Sequence, residues 1–438
     1  MKHKKIFIIF CLFILTLFVT SCELPTYTYF TTTTTQGSTT TTSQSTTTSI
    51  TQGSTTTTHT HTHTSTTTST QEEPIVDNVV YDDLSIHFLE LGNEYAGDSV
   101  YIKAGDADIL IDAGSRKNSA ATIKKYINQY CTDGKLEYVI ATHAHQDHIA
   151  GFVGLSSGGK KDGILYSYEV GTIIDFPLTN STTQIYEDYL YAVDSLVQNG
   201  TVQVNAADCF NEENGAQRVY NITEDITLEV LYNYYYFNNA SDENDYSVCI
   251  MLNYKDKNFM FTGDLEEEGE HKMAAYYDGS TPEKTLPHVE VFKAGHHGSG
   301  SSSNDILLSK ITPEIICVCS CAGSTEYTAN YQTIFPTQEF INDVAKYTDR
   351  VYCTSYFDEK SLTQKSLNGD IIISTNGISI GVSATNNIIK LKDTTWFNET
   401  IYVKNGVYVS SGKGKKDFYT ASTSGATPVV RRVWPGEK

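Results

Sequence analysis

Four kinds of pattern succeed one another along the chain. Lys2, Lys4 and Lys5 precede an apolar run from Ile6 to Val19 that only Thr16 interrupts, and the run ends in Thr20-Ser21-Cys22. From about Thr31 to Thr70 hydrophobic positions vanish into Thr and Ser, with Thr35–Thr42 repeated as Thr51–Thr58. A segment without apolar periodicity cannot bury a core, so 23–78 is expected to be a disordered, solvated stalk. From Val79 onward short apolar blocks return. The pattern predicts strands over Ser85–Leu91, Ser99–Ala104, Ile109–Ile111 and Tyr138–Thr142, with a helix over Asn118–Tyr130. Further strands are expected over Thr227–Tyr232, Val248–Tyr254, Phe259–Thr262, Val289–Phe292 and Ile315–Cys319. This is an α/β pattern of sheets flanked by helices over 79–384. A small β-rich appendix is expected over 385–438, with strands over Asn387–Leu391, Thr400–Val403 and Val407–Ser410 around a basic Gly412–Lys416 segment.

The leader changes where such a domain would work. A run of this length suits a signal-peptide core and is short for a membrane span, which takes about 20 residues. Small residues directly before Cys22 resemble a bacterial lipobox, which would make Cys22 the lipidated N-terminus. A plain signal peptide or an uncleaved anchor would share the apolar run, but not that cysteine. The expectation is a 1–22 lipoprotein signal and a protein tethered at the extracellular face of a bacterial cytoplasmic membrane.

Composition narrows the partners. The 438 residues carry 31 Lys and Arg against 52 Asp and Glu, a formal net charge of −21, and this excludes an ordinary basic DNA-binding module. Losing the three leader lysines would leave the chain more acidic still. Seven cysteines remain beyond Cys11 and Cys22, an odd number that cannot form a complete disulfide framework. Cys317, Cys319 and Cys321 alternate, so their thiols are expected on one buried strand face and not in a zinc cluster. His59, His61 and His63 lie in the Thr-rich segment, where no scaffold would fix their geometry.

One constellation carries chemistry. The predicted strand Tyr138–Thr142 runs directly into His143-Ala144-His145-Gln146-Asp147-His148, placing three imidazoles and a carboxylate at one sheet edge. That donor mixture suits Zn²⁺, Fe or Mn²⁺. The sequence here resembles the metallo-β-lactamase superfamily, and within it the extracellular hydrolase domain of DNA-internalisation competence proteins and the phosphorylcholine esterases. Supporting motifs follow in order: Gly97-Asp98-Ser99, Ile109 to Gly114, Asn244 to Val248, Phe261-Thr262-Gly263-Asp264, and Lys293 to Ser299.

The resemblance implies an αββα sandwich with the metals at the sheet edge. It implies that His143 and His145 hold one metal, that Asp147 and His148 hold a second, and that Asp264 bridges them. His297, or else His296, would complete the first metal's set, and Asp112 would stand behind the ligands and orient an imidazole. The expected cofactor is one or two Zn²⁺ ions, with Mn²⁺ as an alternative. Asp147 would be the general base and His296 would stabilise the leaving group in a hydrolase using metal-activated water. The resemblance favours a phosphodiester substrate from nucleic acid or the cell envelope, engaged locally with help from Lys293 and Lys413, Lys415 and Lys416, and it implies no protein partner. One departure stands out: Phe335 occupies the place of a downstream histidine in Tyr331–Pro336, and no histidine follows His297. The alternative is therefore a catalytically weakened surface-binding lipoprotein on the same fold.

Overall fold

The structure, a computed structural model, describes residues 75–436 apart from 158–159, 329, 405–406 and 409–424. The leader with Cys22, the Thr/Ser segment with its histidines, and Lys413, Lys415 and Lys416 lie outside the described residues. Among the described residues no helix is long and apolar enough to cross a membrane.

The first strands are β1 (Ile75–Asp77), β2 (Leu84–Phe88), β3 (Val100–Ala104), β4 (Ala107–Ile111) and β5 (Lys135–Ile140). A two-residue-per-arm hairpin, β6 (Ser156–Ser157) and β7 (Lys160–Lys161), precedes β8 (Glu169–Asp175) and β9 (Val202–Asn205). The second half contributes β10 (Val219–Asn221), β11 (Ile226–Val230), β12 (Ile250–Tyr254), β13 (Lys257–Phe261), β14 (Val291–Lys293), β15 (Ile315–Ala322), β16 (Val351–Asp358) and β17 (Thr363–Ser366). The chain then returns through β18 (Ile371–Thr375) and β19 (Ile380–Ala384), and ends in β20 (Thr400–Lys404), β21 (Val407–Tyr408) and β22 (Thr427–Val430).

These strands form a nine-stranded sheet in the order β1-β19-β18-β2-β3-β4-β5-β8-β9 and an eight-stranded sheet running β10 through β17. Strands β4, β5, β8 and β9 are parallel to one another, as are β13, β14, β15 and β16, so each sheet gathers several strand ends at one edge. Pairing through β2, β18 and β19 sets β1 in the same direction as β4 and β5.

Alternating side chains assign each face of the second sheet. Phe259 and Phe261 of β13 point into the main core shared with the first sheet, where Phe88 stacks on Phe261 with ring centroids 6.3 Å apart. Met260 points the other way, into a second core with Met251, Phe292 and Ile316. Helices α1 (Ser119–Ile127), α2 (Gln146–Val153) and α3 (Gln184–Val197) bury Ile123, Phe152 and Tyr189 in the main core. Helices α5 (Glu267–Tyr276), α6 (Asp305–Ile311) and α7 (Gln338–Val344), which follow the short α4 (Ala206–Asn211), close the second core with Met273, Leu308 and Phe340. The result is the expected helix-sheet-sheet-helix layering.

Several expectations change in detail. Strand β1 falls ahead of Val79, inside the segment read as stalk, because three residues are too few to show a period. Residues 387–391 form no strand; the appendix is instead the three-stranded sheet β21-β20-β22 with a short helix α8 (Thr395–Asn398). Trp396, Phe397 and Trp434 of this tail are buried in the second core. Cys317 and Cys319 face the main core together, but a register shift between Val318 and Cys321 leaves Cys321 in neither apolar cluster. All seven described cysteines are buried free thiols.

Asp175, at the end of β8, yields a pH prediction. Burial lifts its carboxyl to about 7, although the Gln203 amide donates to Oδ2 at 2.8 Å. The folded value lies above the unfolded one of about 4. The protonated carboxyl therefore contributes stability that is fully present below about pH 4 and lost as pH rises through about 7. Asp175→Asn should raise the melting temperature by several degrees at pH 8 and give no gain at pH 4. An equal shift at both pH values would refute burial of charge as the cause.

Candidate metal centre

The chemistry-bearing residues collect where the parallel strands end. Asp112 follows β4 with a left-handed backbone, φ 57°, which turns its carboxylate back under the sheet edge. Its Oδ1 accepts the Thr142 backbone N–H at 2.8 Å, and its Oδ2 lies 2.7 Å from His148 Nδ1. That contact fixes the His148 ring and directs Nε2 at Asp264 Oδ2, 3.0 Å away. Asp147 and His148 stand in the first turn of α2, for which His145 is the N-cap. Asp264 follows β13 after Gly263, whose φ of 55° suits glycine and whose missing Cβ leaves room for Thr142 and Ser247.

His296 and His297 follow β14 and both adopt positive φ, 44° and 55°. Two consecutive non-glycine residues in that region cost of order 1–3 kcal/mol each, a strain that concentrates at functional sites. Here it splits the pair. His297 turns fully inward, with Nε2 3.3 Å from both Asp147 Oδ2 and Asp264 Oδ2 and Nδ1 3.0 Å from the Cys319 carbonyl. His296 turns to the surface against Glu266 Oε1 at 3.1 Å and Ser301 Oγ at 3.2 Å.

Asp147, His148, Asp264 and His297 each offer one donor atom, and these atoms all lie within 4.8 Å of one another. Asp264 Oδ1 and His297 Nε2 are buried there without a hydrogen bond. Two imidazole nitrogens and two carboxylate oxygens, some without a protein partner, fit a divalent ion of the Zn²⁺ or Mn²⁺ kind. His143 and His145 do not join this set. They face each other, His143 Nε2 to His145 Nδ1 at 3.0 Å, and among the described residues no third donor completes a group with them. The structure thus brings His297 beside Asp147 and His148, whereas the resemblance groups it with His143 and His145. Strand β14 neighbours β13 and so delivers its end beside Asp264.

The electrostatics follow from packing. Burial would strip the proton from His148 and from His297, yet Asp264 with Asp112, and Asp264 with Asp98, hold both imidazoles well above their ordinary values. Burial lowers His143, which lacks comparable partners. Lys293, expected to meet substrate, is only 2% exposed. Its ammonium pairs with Asp98 and lies 3.6 Å from Asp264 Oδ1, so it neutralises the interior of the site.

A cleft of about 520 Å³ opens over the centre, lined by His145, Asp147, His296, Arg116, Glu326 and Tyr327 among others. Tyr327 donates to Asp147 Oδ2 at 2.6 Å. Phe335 packs on His296 with centroids 5.3 Å apart and on Tyr327 at 5.8 Å. Asp98, Glu266, Arg116 and Tyr327 were not singled out from the sequence. Asp98 alone had a signal, as the acid of the Gly97-Asp98-Ser99 turn.

Residues 92–212, which contain the 97–99 turn, Asp112 and the histidine cluster, match the family described as Metallo-beta-lactamase superfamily. The chain contains a metallo-β-lactamase superfamily domain. Recombination protein 2 of Haemophilus influenzae is 30% identical over 78 residues, covering 18% of this chain and 9% of that protein. Among solved structures, the metallo-β-lactamase fold protein YhfI from Bacillus subtilis aligns at 10% identity and TM-score 0.33 over 54% of this chain and 85% of that one. The short form of human tRNase Z aligns at 13% identity and TM-score 0.34 over 66% and 98%. The metallo-β-lactamase domain is thus of a hydrolase superfamily and carries candidate metal-binding residues at its sheet edge.

Proposed function

We propose that this protein is an exported, lipid-anchored, metal-dependent phosphodiesterase. The observation that carries the reading is the four-residue donor set of Asp147, His148, Asp264 and His297, of which Asp147 also lines the 520 Å³ cleft. Asp147, His148, Asp264 and His297 would hold a divalent ion, which when bound would supply charge to polarise a phosphoryl oxygen and acidify a water molecule. Asp112 and the Cys319 carbonyl orient the two ligand imidazoles through Nδ1, Asp98 lies 3.1 Å from His297 Nδ1, and Lys293 offsets the surplus of carboxylates. Asp147 and His296, the latter held by Glu266, both line the cleft, and to them we assign the proton acceptor and the group that stabilises the leaving oxygen. The choice of phosphodiester rests on the sequence similarity to the DNA-internalisation family and to Recombination protein 2.

The cleft favours a small substrate over a nucleic-acid track. Among the described residues its one Lys or Arg lining side chain, Arg116, pairs with Glu326 and stacks on Tyr95 at 3.9 Å. With a chain charge of −21, little remains to draw a polyanion, so a phosphodiester of the cell envelope fits better. The membrane contact is assigned to lipid on Cys22. Expressed with its leader and loaded with Zn²⁺ or Mn²⁺, the protein should sediment with membranes and hydrolyse bis(p-nitrophenyl) phosphate. His148→Ala should abolish turnover, and Cys22→Ser should release the protein from the membrane fraction. A metal-loaded protein inert on all phosphodiesters would sink the reading.

Phe335 and the two-membered His143–His145 pair favour a second reading, a binding protein that has lost catalysis. Metal content separates the two: about one equivalent retained through purification supports the enzyme, and none supports the binder.

A further inference from the structure

Tyr327 lies outside the 92–212 match and outside every motif that points to the metal centre, yet its hydroxyl touches that centre. It sits on the segment after β15. Asp147 Oδ2, which accepts its proton at 2.6 Å, is also the oxygen 3.3 Å from His297 Nε2. One carboxylate oxygen therefore serves both the phenol and the donor set. Once that oxygen is engaged by a cation, the phenol loses much of its acceptor and is left directed at the cleft.

Neighbouring donors are already committed. Arg116 is held by Glu326 and donates to the Ser115 carbonyl at 2.7 Å, and His296 is held by Glu266 and Ser301. Phe335 fixes the Tyr327 ring from behind, so the aromatic residue found in place of the expected histidine braces a polar group in its stead. A phenol, whose ordinary pKa is about 10, is a donor at neutral pH.

We infer that the Tyr327 hydroxyl is a substrate contact that donates a hydrogen bond to a nonbridging oxygen of a phosphoryl group bound over the metal centre. This rests on the metal-dependent hydrolase reading. A donor to a charged oxygen is worth about 1.5–3 kcal/mol, or roughly ten- to a hundredfold.

The test compares metal-loaded wild-type and Tyr327→Phe protein in three measurements: metal content, calorimetric affinity for inorganic phosphate, and kcat/KM on bis(p-nitrophenyl) phosphate. Unchanged metal content with phosphate affinity and kcat/KM both reduced at least about tenfold is expected. Unchanged phosphate affinity overturns the assignment, as does loss of metal with the hydroxyl, which would make Tyr327 a brace for Asp147. If the wild-type protein hydrolyses no phosphodiester but phosphate affinity still falls in the variant, the hydrolase reading fails and the contact stands. Should Tyr327→Phe not fold, 3-fluorotyrosine at position 327 gives the same answer: its fluorine resonance moves on adding phosphate if the contact forms and stays put if it does not.

Discussion

Asp264→Asn should strip the metal and lower hydrolysis by roughly a thousandfold or more, the scale on which a preorganised charge at a reaction centre is lost. The carboxylate lies between two imidazoles, 3.0 Å from His148 Nε2 and 3.3 Å from His297 Nε2, and its other oxygen makes no hydrogen bond. An amide keeps the shape but removes the charge and replaces one oxygen with a donor nitrogen, which cannot ligate. His143→Ala provides the contrast. Because His143 stands outside the four-residue set, its loss should reduce activity without removing the bound ion. Metal content after dialysis against a weak chelator, measured beside the rate, decides. If His143→Ala loses metal as completely as Asp264→Asn, the ion is not seated where Asp147, His148, Asp264 and His297 converge.

The second large effect should come from the tail. Arg432 is 2% exposed, and its guanidinium donates to the carbonyls of Pro336 at 2.7 Å and of Ile334 and Arg431 at 2.6 Å. Two of those carbonyls flank Phe335. Arg432→Ala would leave buried acceptors unpaired, each costing about 1–3 kcal/mol, together with the void of a large side chain. The expected loss is about 3–5 kcal/mol, or roughly 4–8 °C in melting temperature for a domain of this size. Arg432→Lys should recover little, because a single ammonium cannot span carbonyls on either side of one residue. Calorimetric scans check both. A shift of under about 2 °C for Arg432→Ala would mean that the tail merely rests on the domain.

How far these features were legible depends on how local their cause is. His143 to His148 can be read from six consecutive residues because one strand-to-helix turn, from the end of β5 into α2, carries all of them. Asp112 and Asp264 can be read because each sits in a short turn after an apolar strand. The partnership of His297 is different: it follows from β14 lying beside β13, a long-range pairing that periodicity does not reveal. Lys293 looked available to substrate because its charge suggests exposure, and only the position of Asp98, 195 residues earlier in the chain, explains its burial. Strands β16, β18 and β19 passed without a prediction, and Tyr327 is one of 30 tyrosines with nothing in its neighbourhood to mark it.

The common direction of β1, β4 and β5 has a practical meaning. Their C-terminal ends face the cleft, so Ile75, at the start of β1, lies at the opposite pole of the same sheet. A bead or sensor surface coupled at Ile75 itself would therefore leave the cleft facing outward, with the approach of substrate unobstructed.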